Sequence, residues 1–253
     1  MRAHPTAVIS ESAVLGEGCV IGPFTVIEDG VRVGAGARIA SHVVLHTGTT
    51  LGDRVRVGPH SVLGGDPQAL SFDGGPTELV IGEDTVIHEA VTVHRATGPE
   101  PTTVGPGCLI MGQVHLAHDC RIGASAVVAQ GAKLAGHVRL GEWAVIGGMT
   151  GIHQWVRVGP HAMVGGMSGV HRDVLPYTVA DGSPARHRQI NAARLRLRGF
   201  GPDEIRALRT ALADVRAGRP IADPGTGGPV SVFAGFVAAR SRRGLSPLVQ
   251  AGR

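Results

Sequence analysis

The sequence predicts a mainly β fold, a left-handed parallel β-helix of hexapeptide repeats with a C-terminal α-helical extension. Three observations carry this expectation. Aliphatic residues recur every six positions through most of the first 170 residues, small residues follow most of them, and aromatic residues make up only 3% of the chain. A six-residue beat matches neither the three-and-four spacing of a helix nor the simple alternation of a hairpin sheet. It matches a triangular coil in which a short strand forms each side, the aliphatic residue points into a narrow core, and a small residue lets the chain turn at the corner. Three such sides give roughly eighteen residues per turn, with turns stacked about 4.8 Å apart like parallel strands.

The first run of the beat is Ile9, Leu15, Ile21, Ile27, Val33, Ile39, Leu45, Leu51, Val57 and Leu63. It resumes at Ile81, Ile87 and Val93, slips by one residue, and continues from Val104 through Ile110, Leu116, Ile122, Val128, Leu134, Leu140, Ile146, Ile152, Val158 and Val164 to Val170. Two interruptions read as loops leaving the coil, 64–79 and 95–103. Leu63 and Ile81 are eighteen apart, so the first loop reads as replacing three hexapeptides in phase. Loops on a rigid scaffold commonly carry binding residues.

The beat ends at "VLPYTVADGSPA", which divides the chain into a repeat domain, 1–185, and a helical domain, 186–253. The clearest helix is "GPDEIRALRTALADVRAG", with Pro202, Asp203 and Glu204 in its first turn, Gly218 beyond its end, and an apolar stripe of Ile205, Leu208, Leu212 and Val215. Shorter helices are expected near "QINAARLRLRG" and "VSVFAGFVAAR".

The 39 glycines and 16 prolines would suggest disorder in another sequence, but here the glycines fall on the beat and are structural. Cys19, Cys108 and Cys120 have no paired or metal-type spacing, which points to a reducing setting. The N-terminal segment has no apolar core of signal-peptide length, and no stretch approaches the roughly twenty apolar residues of a membrane span, so a cytoplasmic protein is expected. From Arg186 onward there are 13 arginines against 4 acidic residues, although the whole chain holds 24 basic and 20 acidic residues. The tail is therefore either a solvated helical face or a docking surface for an acidic partner or phosphates. No recognised motif or set of stacking aromatics accompanies that charge, which argues against nucleic acid.

Counting eighteen residues per turn puts Leu116, Leu134, Ile152 and Val170 on one wall, with His118, His137, His153 and His171 in a file close behind them. His115 and Asp119 share the His118 coil. Two chemistries use such a file. One is a zinc site held by His94, His115 and His118, as in carbonic anhydrases built on this kind of prism; the three-residue gap between His115 and His118 fits it poorly. The other is general-base catalysis, in which an imidazole takes the proton of an alcohol or amine attacking an acyl carbonyl, and a neighbouring carboxylate such as Asp119 fixes the tautomer. Adjacent strand residues point in opposite directions, so that contact requires a bend at the corner.

The stretches "HLAHDC", "LAGHV", "IGGMTGIHQ", "MVGG", "SGV", "RGF" and "ARSRRGL", together with "HPTAVI", "IGPF", "SHVV", "GPH" and "VTVHRAT", resemble the UDP-N-acetylglucosamine acyltransferase family, which performs the first acylation of lipid A synthesis. The combination of "HLAHDC" and "GGMTGIHQ" is the specific part of the match. The resemblance implies a homotrimer with active sites between subunits. It implies transfer of a 3-hydroxyacyl chain from acyl carrier protein to the sugar 3-hydroxyl. No cofactor is implied beyond the phosphopantetheine that carries the donor, and no metal. His118 matches the general base, Asp119 the residue that orients it, and Gly136 the backbone N–H that receives the thioester oxyanion. Gln68, His94, His115, His137, His153, Gln154, Asn191 and Arg198 match substrate-holding positions, and Gly166 matches a position that limits acyl length. The basic tail suits the acidic carrier protein. Departures fall on the acceptor side: Ala69 and Ser71 stand where the family has aspartate and lysine, and Leu197 replaces one arginine of a pair. They raise the prospect of a related amino sugar or another amine or hydroxyl acceptor in a specialised pathway. A further class, a trimeric scaffold without turnover, is opposed by the presence of His118 beside Asp119, because nothing in the repeat requires either residue there.

Overall fold

A computed structural model describes residues 2–225 and 227–249. The chain winds as a parallel β-solenoid of three walls. The first wall runs from Arg2–Ala3 to Thr178–Asp181, the second from Val8–Ile9 to Gly169–Val170, and the third from Val14–Leu15 to Arg157–Val158. Most strands are two residues long and turn their second residue inward, as in Val20–Ile21 and Lys133–Leu134. Each pairs in parallel with its counterpart one coil away, His115 with Lys133 and Leu116 with Leu134 for example. Inward residues such as Leu45, Leu63, Leu116 and Leu134 are fully buried. The core is thus one continuous aliphatic column, which explains the scarcity of aromatics.

At most corners the second residue takes a left-handed conformation, with φ of 60° at Asp119, 61° at His137 and 70° at Trp155. The first corner residue is proline at positions 5, 23, 59, 106, 160 and 176. Proline carries no N–H, so its repeated use marks a position whose amide is not needed by the ladder.

Both loops leave the corner between the second and third walls. Leu51 pairs with Ile81, thirty residues apart where an uninterrupted coil spaces them by eighteen, so twelve extra residues leave here. Ile81 therefore lies on the third wall and not, as the count predicts, a full turn beyond Leu63 on the second. The beat stays in phase only because twelve is a multiple of six. Ile81 pairs in turn with Val104, twenty-three residues on, which adds five residues at the same corner one coil later.

The chain leaves the solenoid through a strand, Arg186–Ile190, antiparallel to Thr178–Asp181, so the segment expected to be helical opens with a strand. Three helices follow: α1 (Ala192–Leu197), α2 (Pro202–Arg216) and α3 (Pro229–Ala238). In α2, Pro202 occupies the first turn and the Glu204 carboxylate accepts the Gly201 N–H at 2.7 Å. Ile205, Leu208, Ala211 and Leu212 pack with Phe233 of α3, Leu195 of α1 and the last-coil residues Leu175 and Tyr177 into a second core; the predicted Val215 is only partly buried at its edge. No helix among the described residues is long and apolar enough to cross a membrane.

Candidate active site

Directly below the two loops, the corner between the second and third walls carries His118 and Asp119, then Gly136 and His137 one coil on, then Gln154 and Trp155. The left-handed conformation of Asp119 supplies the bend that the sequence reading required. It swings the carboxylate alongside its neighbour, and His118 Nδ1 lies 2.7 Å from Asp119 Oδ2. Aspartate adopts this backbone conformation more readily than most residues. The carboxylate is held from its other side by Thr97, whose hydroxyl donates to Oδ2 at 2.7 Å and whose N–H donates to Oδ1 at 3.1 Å. The Asp119 N–H donates to Thr102 Oγ1 at 2.8 Å. Burial pushes the carboxyl group up, but the hydrogen bonds from His118 and Thr97 outweigh it and hold Asp119 below the usual carboxylate range. With Nδ1 committed to a carboxylate, Nε2 of the buried His118 faces the cleft as the acceptor.

Gly136 lies under the imidazole. A Cβ there would stand 2.5 Å from His118 Cε1 and 2.7 Å from Nε2, so only glycine lets the ring settle on the backbone. Gly136 occupies the first corner position, which is proline at six other corners, and its N–H finds no acceptor among the described residues. An unspent donor thus sits against the catalytic-type imidazole.

The four histidines of the expected file, His118, His137, His153 and His171, form two adjacent columns, not one. His137 sets its edge against the His118 ring at 5.2 Å and its Nε2 3.5 Å from Asp119 Oδ2. Its face lies on Trp155 at 3.6 Å, and the Arg242 guanidinium covers the Trp155 ring at 3.6 Å. Burial, with smaller contributions from His118, Arg242 and Arg139, lowers the pKa of His137 against the pull of Asp119. His153 and His171 pair in the second column, with ring centroids 6.0 Å apart. His115 shares a 2.8 Å hydrogen bond between its Nδ1 and Thr92 Oγ1, and burial, helped by His94, Lys133 and His118, pushes its pKa down to about 4. It is a neutral polar contact near neutral pH.

A cleft of about 920 Å³ opens over this corner, bordered by Gln68, Ala69, Leu70 and Ser71 of the first loop. Of the other residues singled out in the sequence, His115, His118, Gly136, His137, His153, Gln154 and His171 line it together with Gln68. His94 lies one coil above, edge-on to His115 at 5.2 Å, with its ring bonded to the Asp66 carbonyl. Gly166 sits at the neighbouring corner between the first and second walls. Asn191 borders a separate hollow with Arg209 and Arg216, and Arg198 stacks on Trp143 at 3.4 Å, at the corner between the third and first walls. Thr97, Thr102 and Lys133 were not anticipated; Thr97 lies in the second loop, and proximity to a predicted site was its only signal.

The His94, His115 and His118 set does not converge. The metal-type cluster among the described residues is instead His118, Asp119 and His137, with ligand atoms within 4.8 Å of one another. Its carboxylate is already engaged by His118 and Thr97, and its geometry is that of a base with an orienting group.

Three stretches, residues 12–47, 30–65 and 101–136, match the model of the bacterial transferase hexapeptide. Residues 173–223 match the second domain of UDP N-acetylglucosamine O-acyltransferase. The chain is 51% identical over 209 residues to the acyl-[acyl-carrier-protein]–UDP-N-acetylglucosamine O-acyltransferase of Azotobacter vinelandii, covering 82% of this chain and 81% of that one. It is 43% identical over 212 residues to the enzyme of the same name from Paraburkholderia phymatum, covering 83% and 81%. The solved structure of LpxA from Acinetobacter baumannii superposes with a TM-score of 0.91 at 30% identity, over 97% of this chain and all of that one. These relatives favour the acyltransferase reading over an altered acceptor, a scaffold or a zinc anhydrase.

Proposed function

The chain belongs to the UDP-N-acetylglucosamine O-acyltransferase family, and from that premise we propose that it moves an acyl chain from acyl carrier protein to the 3-hydroxyl of UDP-N-acetylglucosamine. The observation that carries this mechanism is the contact of His118 Nδ1 with a clamped Asp119 carboxylate, over the free Gly136 amide. His118 Nε2 takes the proton as the sugar oxygen attacks the thioester carbonyl. The Gly136 N–H stabilises the oxyanion that forms. As the C–S bond breaks, the imidazolium returns the proton to the departing phosphopantetheine sulfur. Asp119 keeps Nδ1 protonated and offsets the charge that develops on the ring. The acyl group arrives on the carrier protein, so these residues supply the chemistry without a dissociable cofactor.

Support for the carrier protein comes from α2, whose solvent face presents Arg206, Arg209 and Arg216. Support for a homotrimer comes from the distribution of the matched residues. His118 stands at one corner, whereas Gly166, Asn191 and Arg198 stand at or beyond the other two, so a cleft using all of them needs a second copy. The three cysteines are free and buried, which suits a reducing compartment such as the cytoplasm.

Incubation with a 3-hydroxyacyl carrier protein and UDP-N-acetylglucosamine, followed by mass spectrometry of the nucleotide sugar, tests the reading. The expected product is the sugar nucleotide heavier by one acyl group. Consumption of the donor without that product, in the presence of another amino sugar that does become acylated, contradicts the acceptor.

A further inference from the structure

The geometry points to Lys133 as the residue that receives a substrate phosphate in the cleft, an inference that rests on the acyltransferase reading. Lys133 is the only lysine of the chain, and the cleft otherwise gathers histidines, small residues and aliphatic side chains. Among the described residues that line it, Lys133 is the one side chain of fixed charge, and no carboxylate lines the cleft. The first loop, which borders the cleft, contributes Ala69 and Ser71 and no cation. On the part of the cleft that one copy lines, an anionic substrate meets a single ammonium.

The strand register makes that ammonium accessible. Lys133 stands on the second wall between His115 on the coil above and Gly151 on the coil below, followed by Gly169. A Cβ at Gly151 would meet nothing within 4 Å, so open space lies beside the lysine stem. Nζ donates one hydrogen bond, to the Gln113 carbonyl at 2.6 Å, and an ammonium has three protons to give. His115, its neighbour, is neutral and does not compete for the anion. Lys133 thereby has both the charge and the spare donors that a phosphate oxygen requires, three residues before Gly136 on the same coil.

Two substrate groups share this chemistry, the diphosphate of the acceptor and the phosphate of the donor's phosphopantetheine. Lys133→Ala is expected to raise KM roughly 10- to 100-fold for one of them with kcat little changed, and Lys133→Arg to restore most of the loss. A rise confined to UDP-N-acetylglucosamine assigns the acceptor diphosphate; a rise confined to the acyl carrier protein assigns the donor phosphate. Unchanged KM for both overturns the inference while leaving the acyltransferase reading intact. A readout independent of turnover uses the single lysine directly. Acetylation of Lys133 by an amine reagent, followed by mass spectrometry with the N-terminal amine as internal control, is expected to slow in the presence of UDP-N-acetylglucosamine or of 4′-phosphopantetheine. Protection by neither overturns the assignment. Absence of turnover in the unaltered enzyme would instead count against the acyltransferase reading.

Discussion

Gly136 shows how one side chain's absence settles chemistry at the residue scale. Restoring a single methyl places a carbon 2.5 Å from His118 Cε1, and the atom it meets belongs to the imidazole, which is free to swing away where a backbone atom is not. Gly136→Ala is therefore expected to displace the base from its place beside Asp119. Turnover should fall at least about a hundredfold, with the melting temperature changed by only a few degrees. Steady-state kinetics beside a thermal melt check this, and retained turnover would show that the ring does not depend on that floor. At this scale the sequence was informative where a motif was local: "HLAHDC" exposes the base and its partner together. It was silent on Thr97 and Thr102, which reach Asp119 across 22 and 17 residues and come near it only because two loops and a coil stack at one corner.

At the scale of elements, the last coil and the C-terminal segment are tied through His187. The ring is fully buried, accepts the Leu175 N–H on Nε2 at 2.8 Å and faces the Ser246 carbonyl from Nδ1 at 2.9 Å. Burial pushes its pKa down to about 4 from an ordinary 6.5, against the opposing pull of the Ser246 and Pro247 backbone and with a smaller downward push from Arg216. The folded protein therefore holds a neutral ring while the unfolded chain binds a proton below pH 6.5. Stability from this group is complete above pH 6.5 and drains away as the pH falls toward 4, by on the order of 3 kcal/mol. Chemical denaturation across that window should show the decline, and His187→Gln, less stable at pH 7, should show a shallower one. Equal slopes would place the pH sensitivity elsewhere. The elements themselves were largely legible, because a six-residue period and the capping residues of α2 are local signals. The first loop's true length was not, since its twelve extra residues are a multiple of the repeat and leave the beat unbroken.

The whole molecule is a rigid prism whose candidate site sits at one corner while other matched residues occupy the other two. In such a body bending does not bring those residues together; the proposed homotrimer would do so by association. Sedimentation equilibrium is expected to give three times the 26.0 kDa chain mass; an active monomer would remove the argument from distribution. The fold class was readable because every coil repeats the same inward aliphatic, whereas which corners face one another across copies is a property of surfaces that no period encodes. The most direct test of the central claim is the turnover of His118→Ala with acyl carrier protein donor and UDP-N-acetylglucosamine, measured beside its oligomeric mass. Loss of about a thousandfold or more in kcat with the assembly intact is the expected result. Turnover within a few-fold of the unaltered enzyme would mean that the Asp119-held imidazole is not the base.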